Sequence, residues 1–154
     1  MKLDFLKQFI KQTKTDSLKT KDYPKEFLDL KMKVSFGQGA LARVPWVALR
    51  APDMPVSNGY NPVYLFYKKQ GILVLSYGIS ETHIPEKSWE PSIHETKTRI
   101  DEFIDNPARY GDSYVHKYYE PRIEGKEVNF YRDNVKVSEE LIFNEFTIQY
   151  FRSL

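Results

Sequence analysis

A chain of 154 residues, 41% apolar and 29% charged, suits one domain with a sizeable core. It has no cysteine, which excludes a disulfide scaffold, thiolate metal ligands and a cysteine nucleophile, and its formal charge of +2 is too mild to announce a nucleic-acid binder by bulk charge. No apolar run nears the roughly 20 residues a membrane helix needs, and the opening "MKLDFLKQFIKQ" is broken by Asp4, Lys7 and Lys11, so neither a span nor a signal peptide is expected, and a soluble, cytoplasmic protein is.

In chain order, Leu3, Leu6 and Ile10, with Phe5 and Phe9 beside them, predict an amphipathic helix over residues 2 to 13. "TKTDSLKTKDYPKE" reads as a lysine-rich loop broken by Pro24. "LKMKVSF" alternates, with Leu30, Met32, Val34 and Phe36 on one side and Lys31, Lys33 and Ser35 on the other, as a half-buried strand does. Gly37 and Gly39 end it, and residues 46 to 50 form a short second strand. Residues 51 to 62, "APDMPVSNGYNP", read as a long irregular loop. "VYLFY" and "ILVLSYGIS", joined by the turn "KKQG", predict a hairpin covered on both faces.

Ser92 and Glu95 form a capping-box pattern for a helix whose apolar face is Ile93, Ile100, Phe103 and Ile104, ended by Pro107. "RYGDSYVHKYYEPRI" reads as a loop followed by a strand. Ser138 caps a last helix with apolar positions Leu141, Ile142, Phe146 and Tyr150. The expected architecture is a single α+β domain spanning residues 1 to 154, a curved, mainly antiparallel sheet with flanking helices.

Catalytic motifs are missing. The seven glycines form no P-loop, there is no nucleophile elbow or zinc-binding HExxH, and His83, His94 and His116 are too scattered for a shared metal. No cofactor and no catalytic residue are assigned. Asp112 with Glu124 and Lys126 has the outline of a Mg²⁺ nuclease site. Glu124-Gly125 reads as a turn, however, and a solvated charged loop is the better reading.

One stretch stands apart, "SFGQGALARVPWVALR", residues 35 to 50. A strand with Lys33 on its outer face runs into a glycine loop, with Gln38 at the tip, Leu41 beyond it and Arg43 following. Trp46, stiffened by Pro45, starts the next strand. A projecting tip, a cation and an aromatic plate can together engage a groove, a phosphate and a base. The aromatic share of 15%, with 11 Tyr and 10 Phe, serves either core packing or stacking.

The blocks "TKDYP", "VSFGQG", "VPW", "SNGYNPVYLFYK", "LVLSYGISET" and "RYGDSY", in this order and spacing, make the chain similar to the N-terminal domains of the McrB family of modified-cytosine restriction proteins. The resemblance covers residues 1 to about 120. It implies a DNA-binding domain that approaches from the minor-groove side and flips a modified cytosine, preceded by a purine, into a pocket. It also implies, in full-length relatives, a fused AAA+ GTPase motor and a McrC nuclease subunit, with no enzymatic activity in this domain itself.

By position, Trp46 matches the tryptophan that stacks on the flipped base, Leu65 a pocket residue near the 5-position of the cytosine, and Tyr110 another wall. Asn61 stands where a relative has a second pocket tyrosine, and Gln38 where it has a tyrosine filling the hole in the duplex. Phosphate contacts are expected from Lys19, Lys21, Lys33 and Arg43, few enough for a shallow salt dependence. Still open are a protein-interaction module docking a partner through residues 51 to 62, and a reader of another modified base or of RNA.

Overall fold

The computed structural model describes residues 3–50, 60–79 and 98–153, with residues 60, 61, 77–79 and 148–153 described by backbone alone. The chain forms one open antiparallel sheet whose eight strands lie side by side in sequence order. They are β1 (Glu26–Phe27), β2 (Leu30–Ser35), β3 (Trp46–Arg50), β4 (Tyr60–Tyr67), β5 (Ile72–Ile79), β6 (Tyr114–Glu124), β7 (Glu127–Arg132) and β8 (Val135–Val137). Three helices join them: α1 (Asp4–Gln12), the single turn α2 (Ile100–Phe103) and α3 (Glu139–Ser153). Among the described residues no helix is long and apolar enough to cross a membrane.

Strand periodicity divides the core in two. On one face Leu30, Met32, Val34, Val47, Leu49, Tyr64, Phe66, Leu73, Leu75, Tyr119 and Phe130 pack under α1 and α3. α1 contributes Phe5, Leu6, Phe9 and Ile10, a stripe at helical spacing, with Asp4 in its first turn and Lys11 in its last, each suited to the helix dipole. α3 contributes Ile142 and Phe146. Its start is capped as expected, the Leu141 amide donating to Ser138 Oγ at 3.1 Å. The opposite face holds a smaller cluster of Val44, Val63, Leu65, Tyr67, Val74, Ile100, Ile104 and Val115. The β4–β5 hairpin is therefore covered on both faces, and the burial of β2 alternates strictly from Leu30 to Val34.

Several expectations need correction. β4 starts at Tyr60, so Asn61 lies inside a strand, paired with Gly78, and not in the loop. Residues 51–59 and 80–97 lie outside the described residues, including the expected Ser92 cap, Glu95 and Ile93 and the rest of the proposed docking loop. An unbroken helix to Pro107 does not form. Arg99 is extended, with the Val115 amide donating to the Thr98 carbonyl at 2.8 Å and the Ile100 amide to the Ser113 carbonyl at 2.8 Å. Pairing with the start of β6 takes the backbone that a helix would need. Leu141 is 41% exposed and is not on the buried face of α3.

Strands β1, β7 and β8 go beyond the elements expected from the sequence. Two of their hairpins turn through pairs of residues with positive φ, Leu28-Asp29 and Asp133-Asn134. Such a two-residue turn matches the twist of the flanking strands, and Asp and Asn tolerate the left-handed region without glycine.

Candidate nucleic-acid interface

The residues 37–41 form an exposed tip beyond β2, with Leu41 47% exposed. The loop is closed by the Ala42 amide donating to the Phe36 carbonyl at 2.8 Å. Gly37 has φ +118, and a Cβ there would overlap the Ala40 carbonyl oxygen and lie 2.6 Å from the Ala42 nitrogen. Gly39 also has a positive φ, +72, but nothing lies within 4 Å of its Cβ position. Gly37→Ala is therefore expected to destabilise the domain by roughly 1–3 kcal/mol and more than Gly39→Ala. The measurement is the urea midpoint of each variant, and equal midpoints would show that the loop does not depend on that close approach.

Pro45 continues the ladder into the tip, its carbonyl accepting from the Phe66 amide at 2.9 Å. This holds Trp46 in register opposite Leu65. Trp46 is half-buried and packs against the smaller cluster, while Leu65, 1% exposed, is part of its floor. Tyr110 reaches the same cluster from the segment before β6. Its φ is +63, a costly conformation for a tyrosine. The surrounding contacts impose it: the Ser113 amide donates to the Tyr110 carbonyl at 3.1 Å, the Asp101 amide to Gly111 at 3.0 Å, and Tyr67 Oη to the Arg109 carbonyl at 2.9 Å. The Arg109 guanidinium lies over the Tyr110 ring, 4.8 Å from its centroid.

Arg99 braces this segment, contacting Asp101 at 2.5 Å and Asp112 at 2.6 Å. The hydrogen bond to Asp101, then its charge, raises the Arg99 pKa further above its ordinary value. Asp112 thus has a structural partner. Glu124 stands at the far end of the 11-residue β6, about 35 Å away at the usual rise per residue. Its carboxylate accepts from Tyr131 Oη at 2.6 Å and Asn129 at 2.9 Å, bonds that lower its pKa. The Mg²⁺ outline drawn from Asp112, Glu124 and Lys126 is not one site, and the described residues contain no group of three metal-ligating side chains.

The structure brings together three of the four expected pocket residues, Trp46, Leu65 and Tyr110, and places the backbone of Asn61 four positions before Leu65 on β4. The expected phosphate contacts do not form one patch. Lys33 pairs with Ala48 in the register that sets Ser35 opposite Trp46, so Lys31 and Lys33 share the sheet face of Trp46 and Ala48. Lys19 and Lys21 are exposed in the loop after α1, which packs through Leu18 and Tyr23 into the larger cluster on the opposite face. Arg43 lies at a separate cleft of about 620 Å³ between the tip loop and the β4–β5 turn, where Lys68 and Lys69 join it.

In the sequence those two lysines read only as a turn, although a charge count by halves flags them. Residues 1–79 carry 13 Lys and Arg against 6 Asp and Glu, whereas residues 80–154 carry 10 against 15. The mild overall charge hides a basic half that includes β2 to β5 and both sides of the tip.

The family model for the MrcB-like N-terminal domain matches residues 2–135. The chain belongs to this family. The match extends past residue 120 and through β7, further than the resemblance read from the sequence blocks. A relative of this MrcB-like domain, the "Type IV methyl-directed restriction enzyme EcoKMcrB subunit" of Escherichia coli (strain K12), is 39% identical over 116 residues, covering 75% of this chain and 25% of the relative. The chain thus spans about a quarter of the length of that relative. In the MrcB-like domain described here, α3 follows the matched region and completes the larger core cluster.

Proposed function

We propose that this domain is the DNA-reading part of a modification-dependent restriction system, and that it recognises a modified cytosine after a purine by flipping the base against Trp46, Leu65 and Tyr110. One observation carries the reading. Three residues from separate segments, each singled out by the family resemblance, pack around one small apolar cluster on the sheet face that also bears Lys31 and Lys33. The family membership and the methyl-directed relative support the same ligand.

In this reading Gln38 and Leu41 at the tip enter the duplex, and Gln38 hydrogen-bonds to the orphaned partner base. Flipping costs a few kcal/mol, and stacking on Trp46 returns roughly 1–3 kcal/mol. A 5-methyl group against Leu65 adds about 0.8 kcal/mol, only a few-fold preference over plain cytosine. The isolated domain is then a modest discriminator, and assembly of several copies sharpens it. GTP hydrolysis and cleavage belong to a fused AAA+ motor and a McrC-like nuclease subunit, with this domain itself non-catalytic and acting on cytoplasmic DNA.

The test is a fluorescence-anisotropy titration at low, stated salt with duplexes carrying unmodified, 5-methyl, 5-hydroxymethyl or N4-methyl cytosine after a purine. The expected result is several-fold tighter binding to at least one modified duplex. Equal affinity for all four would remove modified-cytosine reading, and no binding to any would favour a protein-interaction module.

A further inference from the structure

The cleft beside the tip lies next to the proposed base pocket along the same strands. Its walls include Val44, Tyr67 and Ala108, each two residues from Trp46, Leu65 or Tyr110. The bond between Phe66 and Pro45 continues the pairing of Trp46 with Leu65, so Val44 and Tyr67 lie one pleat further along the same ladder. Two strand residues span about 6–7 Å, so the cleft opens within a nucleotide's length of the pocket. Arg43, Lys68 and Lys69 line it, no carboxylate does, and among the described residues none of these three cations forms an ion pair.

We propose that this cleft binds the backbone phosphates flanking the extruded nucleotide, gripping DNA in its flipped state more than the undistorted duplex. The inference rests on the base-flipping reading above. Rotating a nucleotide out of the stack turns its own sugar and phosphates toward the protein. A concave, cationic cleft next to the pocket suits that displaced backbone, whereas the regular backbone of the duplex meets the open face bearing Lys31 and Lys33. Lys68 and Lys69 are then specificity-determining residues although they touch no base. The fold does not depend on their side chains, because the turn is closed by the Gln70 and Gly71 amides donating to the Tyr67 carbonyl at 3.2 and 2.8 Å.

The experiment compares the wild-type domain, Lys68→Gln/Lys69→Gln and the charge-preserving Lys68→Arg/Lys69→Arg on matched modified and unmodified duplexes across a salt series, after thermal unfolding has shown each to be folded. The glutamine variant is expected to lose most of the wild type's several-fold preference, its affinity for the modified duplex falling toward that for the unmodified one, which should change by less than about twofold. Its salt slope on the modified duplex should fall by about 1 to 2, close to one unit per lost phosphate contact, and the arginine variant should retain wild-type discrimination. An equal loss on both duplexes, or no loss, would overturn the assignment. Failure of base reading would appear in the wild-type protein itself, as equal affinity for the two duplexes, and failure of the cleft alone would appear only in the variant.

Discussion

Trp46→Ala is expected to abolish the several-fold preference for a modified duplex, because the flipped state loses roughly 1–3 kcal/mol of base stacking and only unflipped binding remains. Binding to an unmodified duplex, whose cytosine occupies the pocket a few-fold less, should change less. The structure makes the comparison workable. Trp46 is half-buried at the edge of the smaller cluster, so its removal costs less than the ~3–5 kcal/mol of a fully buried aromatic, and α1, α3 and the larger cluster are untouched. Trp46→Phe keeps a stacking face and should recover part of the affinity. If Trp46→Ala instead unfolds the domain, or keeps its preference for the modified duplex, the tryptophan is a packing residue and the pocket lies elsewhere.

The largest effect on stability is expected at Glu145. This α3 carboxylate is 9% exposed and takes a two-point contact from Arg132, at 3.0 and 3.2 Å, with Tyr119 Oη donating at 2.8 Å and Lys117 Nζ forming an ion pair at 3.6 Å. It ties α3 to β6 and β7. Removing one partner of a buried ion pair leaves the other uncompensated, so Glu145→Ala is expected to cost about 3–5 kcal/mol. For a domain of this size the melting temperature should fall by about 6–20 °C. A fall below about 3 °C would show that Arg132 finds water or another partner.

The pH dependence has a definite sign. Burial raises the Glu145 pKa, but hydrogen bonds from Arg132 and Tyr119 and the charges of Arg132 and Lys117 outweigh it and hold the group below its ordinary value. Its stabilisation is present above the unfolded carboxylate pKa, near ~4.3, and is lost as pH falls through the lower folded value. Glu145→Gln should therefore flatten the acid limb of the stability curve. At neutral pH a folded Glu145→Gln protein should bind DNA as the wild type does, because this network lies on the face away from Trp46.

The elements with one dominant period are legible in the sequence. α1, β2 and the β4–β5 hairpin each show their pattern without help from distant residues. β7 has the same alternation, with Val128 and Phe130 inward, but its turn uses Asp133-Asn134 rather than glycine, and its neighbours Glu124 to Glu127 look like a solvated loop. The segment before β6 is not legible from period alone, because its backbone pairs with residues ten or more positions away. At the site, Trp46, Leu65 and Tyr110 come from resemblance, and no spacing rule would join three residues so far apart in the chain. Lys68 and Lys69 are hidden by their turn and by a net charge that averages two unlike halves.

The division of the sheet into two clusters has a consequence for how such a domain can diversify. The larger cluster, under α1 and α3, supplies most of the buried side chains, while the tip, Trp46 and the strand position of Asn61 lie outside it. A substitution on the reading side can therefore alter what is read at little risk to folding. Glutamine at the tip and asparagine on β4 are tolerable experiments in that sense, and a library randomised at positions 38, 41 and 61 should contain a high proportion of soluble, folded members from which new base preferences can be selected.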